Sequence, residues 1–75
     1  DTRTVDGMTN LEDFAEDYGI HLPEGPYETV AGFVINEMGR LPEVAESTEA
    51  LGWRFEVVDL DGRRVDKVLF SRREG

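Results

Sequence analysis

The chain has no cysteine. That excludes a disulfide scaffold, a thiolate metal site and a thiol nucleophile together. It has one histidine, so a histidine-rich metal cluster is out of reach, and apart from Phe70 no stacking aromatic is interleaved with its C-terminal cations. No apolar run is long enough to span a bilayer, and no signal peptide is recognisable. Basic residues are few: 8 Lys and Arg stand against 17 Asp and Glu, a net charge of −9. Most of that surface would repel nucleic-acid phosphates.

What is present fits a small globular domain. Seventy-five residues with 39% hydrophobic and 33% charged side chains can bury one core between two layers, with little room for an enclosed pocket. The chain opens on Asp1, and we expect it to be a piece of a longer protein. The charge is uneven. Residues 1–53 carry 12 acids against Arg3 and Arg40, whereas residues 54–75 carry Arg54, Arg63, Arg64, Lys67, Arg72 and Arg73 against five acids.

Periodicity supplies the elements. Residues 3–8 read as a short strand ending in a turn at Gly7. Leu11, Phe14, Ala15 and Tyr18 form one stripe of a helix, capped by Asn10 or Thr9 and stopped by Gly19. Residues 20–26 are a connector, because Pro23, Gly25 and Pro26 forbid helix and leave Ile20 and Leu22 to dip into the core. A second helix is expected from about Tyr27 to Met38, burying Val30, Phe33, Val34, Met38 and Leu41. Gly32 inside it predicts close approach of another backbone. Gly39 is the expected left-handed cap, and Pro42 prevents the helix from resuming.

The second half reads as strands. Residues 45–50 are an extended edge segment, and Trp53, Phe55 and Val57 alternate with Arg54 and Glu56. Trp53 in that phase reads as a core residue, with an interface anchor as the other reading. Leu60-Asp61-Gly62-Arg63 predicts a hairpin with a type I′ turn at Asp-Gly. On the return strand, 64–71, Val65 and Leu69 fall on one face and Val68 and Phe70 on the other. Either both faces are covered or a bulge near Asp66-Lys67 re-phases the strand. Residues 72–75 are expected to fray. The sum is an α+β domain: a small, mainly antiparallel sheet with two helices packed on one face.

No constellation reads as catalytic. His21 sits in a proline-flanked loop without an orienting partner and reads as solvent-facing. Glu12-Asp13 and Glu16-Asp17 lie on a helix outer face, not in a cleft. Asp59-x-Asp61-Gly62 has no closing glutamate for a calcium loop. Ser47 and Ser71 have no base near them in sequence. The cations Arg63, Arg64 and Lys67 are the candidate docking group for an acidic partner, with a solvated strand face as the plain reading.

One series of segments does carry a resemblance. In order occur Asp6-Gly7, Leu11-x-x-Phe14, Tyr27-Glu28-Thr29-Val30-Ala31-Gly32-Phe33-Val34, Gly39-Arg40-Leu41-Pro42, Phe55-Glu56-Val57 and Asp61-Gly62-Arg63-Arg64-Val65-Asp66-Lys67-Val68. Across residues 1–75 this resembles the CorC/HlyC, or transporter-associated, domain. Thr29, Ala31, Gly32, Gly39, Arg40 and Pro42 are the signature positions.

The resemblance implies a non-catalytic regulatory or interaction domain of a CorC/hemolysin-like, CBS-domain membrane protein associated with magnesium and cobalt efflux. It implies a place on the cytoplasmic side of a bacterial cell membrane, with the CBS and transmembrane domains of the same chain as partners. The fold is grouped with a subdomain of certain flavin enzymes. FAD or a divalent cation therefore enters by family analogy only, and no resident cofactor, catalytic residue or metal ligand is expected. The alternative role is a sensor for a flavin, an adenine nucleotide or a divalent cation. A homodimer through an edge strand is compatible with a small excised domain. One departure stands out: Ala45-Glu46 occupies the place where the family often has Gly-Glu. An alanine fits there if the local φ is negative.

Overall fold

Both helices begin and end where side-chain chemistry tells them to. In the computed structural model, which describes residues 2–72, β1 (Thr2–Asp6) leads through a turn into α1 (Leu11–Tyr18). The Asn10 side chain accepts from the Glu12 amide at 2.8 Å, and Gly19 closes the helix at φ 70. That residue lies in the left-handed region, where a side chain is costly. The strand expected at 3–8 thus runs 2–6 and yields at Asp6, whose carboxylate accepts from the Met8 amide at 2.8 Å.

α2 covers Val30–Met38, three residues shorter at its start than expected. Thr29 is extended, at φ −125 and ψ 164, and its hydroxyl accepts from the Gly32 amide at 3.1 Å. That makes Thr29 the N-cap and leaves Tyr27 outside the helix. Val30, Phe33 and Val34 are fully buried as expected, and Met38 is half-buried. Leu41 is 39% exposed, because the chain has already turned away at Gly39.

β2 (Ser47–Ala50), β3 (Trp53–Asp61) and β4 (Arg64–Arg72) complete a four-stranded antiparallel sheet in the order β1-β4-β3-β2. The first strand pairs with the last, Val5 opposite Val68 and Thr2 opposite Ser71. Across the sheet Val5, Val68 and Val57 form one row, and Phe70 and Phe55 another. These residues share one buried cluster with Phe14 of α1 and Phe33 of α2, so both helices cover the same sheet face. The ring centroids of Phe14 and Phe70 lie 5.1 Å apart, and those of Phe33 and Phe55 5.5 Å, both edge-to-face. Each such pair adds about 0.5–1.5 kcal/mol beyond its buried area.

The odd phase of β4 resolves as a bulge. Val57 pairs with Val68, Asp59 with Lys67 and Leu60 with Val65, which leaves Val58 extra on β3 and Asp66 extra on β4. The two insertions cancel in register, and Val65 joins Val68 and Phe70 in the core. The β3–β4 turn is centred one residue later than expected. Asp61 pairs with Arg64, and of the two loop residues only Gly62 has positive φ, at 64. That is the pattern of a type II′ turn, not type I′. A type I′ pattern occurs instead between β2 and β3, where Leu51 and Gly52 stand at φ 55 and 81.

Trp53, expected in the core, is half-buried. Its ring meets Phe70 at 5.9 Å between centroids and carries the Arg72 guanidinium at 5.3 Å from the ring centre. Arg72 is therefore a strand residue with a partner rather than a frayed end; residues 73–75 lie outside the described residues, as does the Arg73 of the basic group.

Candidate functional site

The signature residues converge on two structural junctions. At the first, the N-termini of both helices are laced to the end of β1. The Leu11 amide donates to the Glu28 carbonyl, Val30 to Thr9 and Ala31 to Gly7, at 3.0, 3.0 and 2.9 Å. Gly32 and Phe33 donate to the hydroxyl and carbonyl of Thr29. The first four amides of α2 are thus all used internally, and none is left to hold a phosphate or other anion.

Small residues are required here. A Cβ on Gly7 would overlap the Val65 carbonyl and come within 3.2 Å of the Ala31 methyl. Gly7 also donates to the Asp66 carbonyl at 2.7 Å, which fixes the β4 bulge to the helix junction. The close backbone approach expected at Gly32 is found at Gly7 instead. A Cβ on Gly32 would meet its own capping segment, at 3.0 Å from the Tyr27 Cβ and 3.3 Å from the Thr29 hydroxyl.

The second junction lies past the other end of α2. Gly39 takes φ 75 and donates to Ile35 at 2.9 Å. Arg40 then binds Glu46 with both terminal nitrogens, one at 2.7 Å from Oε1 and the other on Oε2. The same Oε1 accepts from the Glu43 amide at 2.8 Å, and Pro42 is buried beneath. The Arg40 hydrogen bonds and the Glu43 amide hold the Glu46 carboxyl down at about 2. Between them, Glu43 to Glu46 form a turn closed by the Glu46 amide on the Glu43 carbonyl at 3.1 Å.

Its third residue is Ala45, at φ 80, the value a type II turn demands at that place. The Ala45 amide donates to the Val57 carbonyl, and the Val57 amide to the Glu46 carbonyl, at 2.7 and 2.9 Å. This is a bulge of the kind that places glycine in the left-handed region. The condition of negative φ for an easy fit of Ala45 is not met: the backbone keeps the glycine-type shape and alanine occupies it under strain.

The candidate docking cations are separated by their surroundings. Arg63 and Arg64 are exposed at the β3–β4 turn and have no ion-pair partner among the described residues. Lys67 sits 3.2 Å from Asp66, whose carboxylate raises its pKa, with Asp59 and Asp6 adding to the field. Its charge is largely answered in place.

His21 is exposed on the connector and has no hydrogen-bond partner among the described residues. Among those residues no polar or charged side chain is buried, and no group of three His, Asp or Glu is placed to hold a metal ion. No described helix is long and apolar enough to cross a membrane.

A groove of about 430 Å³ lies between α1 and the returning connector, lined by residues of 10–15 and 21–28. Neither segment announced it in sequence, because each supplies only one wall. The signal available was Gly25-Pro26-Tyr27: the Tyr27 hydroxyl donates to the Pro23 carbonyl, and a Cβ at position 25 would overlap the Tyr27 ring, which would then have to move.

The transporter-associated domain family, CorC_HlyC, matches residues 1–74. The chain belongs to this CorC/HlyC family. Relatives include the polyamine export protein of Salmonella typhimurium, 37% identical over 70 residues that cover 91% of this chain and 16% of the relative. The magnesium and cobalt efflux protein CorC of Escherichia coli is 34% identical over 67 residues, 89% of this chain and 23% of the relative. The chain thus spans less than a quarter of the curated relatives it matches.

Solved structures agree in fold. The CorC_HlyC domain of Haemophilus ducreyi superposes with a TM-score of 0.87 at 30% identity, with 100% of both chains covered. That of a Xylella fastidiosa hemolysin, solved with Mg²⁺ and Mn²⁺, gives 0.84 at 41% identity over 97% of this chain and 89% of that one. A CorC/HlyC domain of this length therefore folds without the rest of its parent chain.

Proposed function

We propose that residues 1–75 form one non-catalytic interaction domain of a cation-transport protein, held on the cytoplasmic side of a bacterial membrane by the rest of its chain. In this reading it docks against the CBS and transmembrane domains of that chain and biases their arrangement. The observation that carries it is what the signature side chains do. Thr29, Ala31, Gly32, Gly39, Arg40 and Pro42 close two backbone junctions, and among the described residues no acid, base or nucleophile is buried to perform chemistry. The magnesium, cobalt and polyamine cargo named for the relatives makes a cationic substrate the natural class for the whole protein. The exposed Arg63 and Arg64, with Lys67 a weaker third, are the docking cations of this reading.

The test is charge reversal of Arg63, Arg64 and Lys67 to Glu in the full-length protein. Loss of transport or of interdomain crosslinks is expected; unchanged assembly and transport would remove these residues from the docking role.

A second reading, a divalent-cation sensor, draws on the Xylella fastidiosa domain solved with Mg²⁺ and Mn²⁺. Titration with Mg²⁺, Mn²⁺ and Co²⁺, followed by NMR alongside FAD and ATP, separates the two. A saturable, localised response to one of them supports sensing, and diffuse weak shifts support docking alone.

A further inference from the structure

We propose that the groove between α1 and the connector is a docking site for a basic amphipathic segment of a partner domain of the parent chain, with an apolar side chain as anchor. The inference rests on the interaction-domain reading and names a second surface for it, opposite in charge to Arg63 and Arg64 and built from a different part of the chain.

Three observations converge. First, the lining is two-toned. Leu11, Leu22 and Tyr27 supply apolar surface, and Glu12, Glu24 and Glu28 supply carboxylates, with no Lys or Arg among the lining residues. An apolar floor with a few charged groups of one sign is how a groove selects an amphipathic ligand of the opposite sign. Its volume lies in the lower part of the range for binding pockets, about 300–1,000 Å³.

Second, the walls are built in advance. The Leu11 amide binds the Glu28 carbonyl at 3.0 Å, and the Tyr27 hydroxyl ties the connector back to Pro23. The Tyr27 ring also packs edge-to-face on Phe33 of the core, 5.5 Å between centroids. A wall held this way needs little ordering when a partner arrives, which removes part of the usual cost of association.

Third, the chain around it is predominantly acidic, although the Arg3 guanidinium lies 5.8 Å from the ring centre of Tyr18 on α1. Residues 4–39 carry eight Asp or Glu and no Lys or Arg, and Glu12, Asp13, Glu16 and Asp17 all stand exposed on α1. Such a surface steers a basic partner toward the groove and disfavours an acidic one.

The experiment is an NMR titration of the isolated domain with three probes: acetyl-KRLKKL-amide, the same peptide with both Leu replaced by Ser, and spermidine. Saturable shifts confined to residues 10–28 are expected with the first. Binding on the order of tenfold weaker is expected for the Ser peptide and for the E12Q/E24Q/E28Q variant, whose changes are all at exposed sites. Equal responses to all three probes would reduce the effect to general attraction of cations and overturn the proposal, as would shifts centred elsewhere. A parent-chain partner domain supplies the separating arm. If it moves signals around Arg63 and Arg64 but not those of 10–28, the groove fails while the interaction-domain reading stands. If it moves none, both fail.

Discussion

At the helix junction around Gly7, Thr29 and Ala31, every unusual residue meets the backbone condition that suits it. Along the arm from Arg40 to Gly52, two ordinary side chains, Ala45 at φ 80 and Leu51 at φ 55, stand where glycine or asparagine would rest more easily. The junction is closed from several directions at once: two helix starts, the end of β1 and the β4 bulge share one set of hydrogen bonds. The arm hangs on the sheet edge by the short β2 and relies on the Arg40–Glu46 pair and the buried Pro42. Strain persists only where surroundings over-determine it, and here the bulge hydrogen bonds to Val57 and the ion pair do so. The difference teaches where stability is at its ceiling and where it can still be raised.

Breaking the junction should have the largest effect. Gly7→Ala forces a methyl into the Val65 carbonyl and against Ala31, neither of which can withdraw without opening the bulge. A loss of about 3 kcal/mol is expected, read as a drop in the urea midpoint at unchanged slope. An alanine tolerated at position 7 would mean that the junction yields more easily than its bonding implies.

Relieving the arm should act in the opposite direction and by less. Ala45→Gly removes the left-handed strain at the price of more freedom in the unfolded chain. A net gain of about 0.5–1 kcal/mol in thermal or urea unfolding is expected. A loss instead would show that the bulge is not strained by the alanine.

The smallest effect is the one with a pH signature. Glu46, half-buried beside Arg40, titrates near 2 in the fold, against an ordinary value of 4.5. A depressed folded value means that the pair stabilises the domain above about pH 4.5, with the contribution fading as pH falls toward 2. The stability difference between the native chain and Glu46→Gln should therefore be full near neutral pH, shrink through that window and weaken with added salt. A difference that does not change with pH would place the role of Glu46 in the turn alone.

Much of this was legible before any coordinates. Asn10, Gly19 and Gly39 mark helix ends because their preferences act within one turn of chain, whereas Thr29 as the cap of α2 was not read from the sequence. The alternation from Trp53 to Val57 placed β3 for the same local reason. Misreadings arose where the deciding partner is distant in sequence. Leu60-Asp61-Gly62-Arg63 promised a turn at Asp-Gly, but the register of Phe55 with Phe70 and Val57 with Val68, in which the two bulges cancel, puts its centre at Gly62-Arg63. Gly32 was assigned the close approach that belongs to Gly7, because only the fold brings Val65 and Ala31 against position 7. Leu41 continued an apolar stripe in sequence after the helix had already ended. The groove was invisible because its walls are two segments running past each other, each unremarkable alone.

By itself the sequence determined the element types, the helix boundaries within a few residues, the acidic first half and the family signature, since caps, periodicity and charge are properties of neighbouring residues. Only the tertiary structure decided the paired bulges, the left-handed alanine, the use of every early α2 amide and the juxtaposition of an apolar floor with three carboxylates. Those depend on which backbone lies opposite which, and strand pairing and packing, not local preference, settle that.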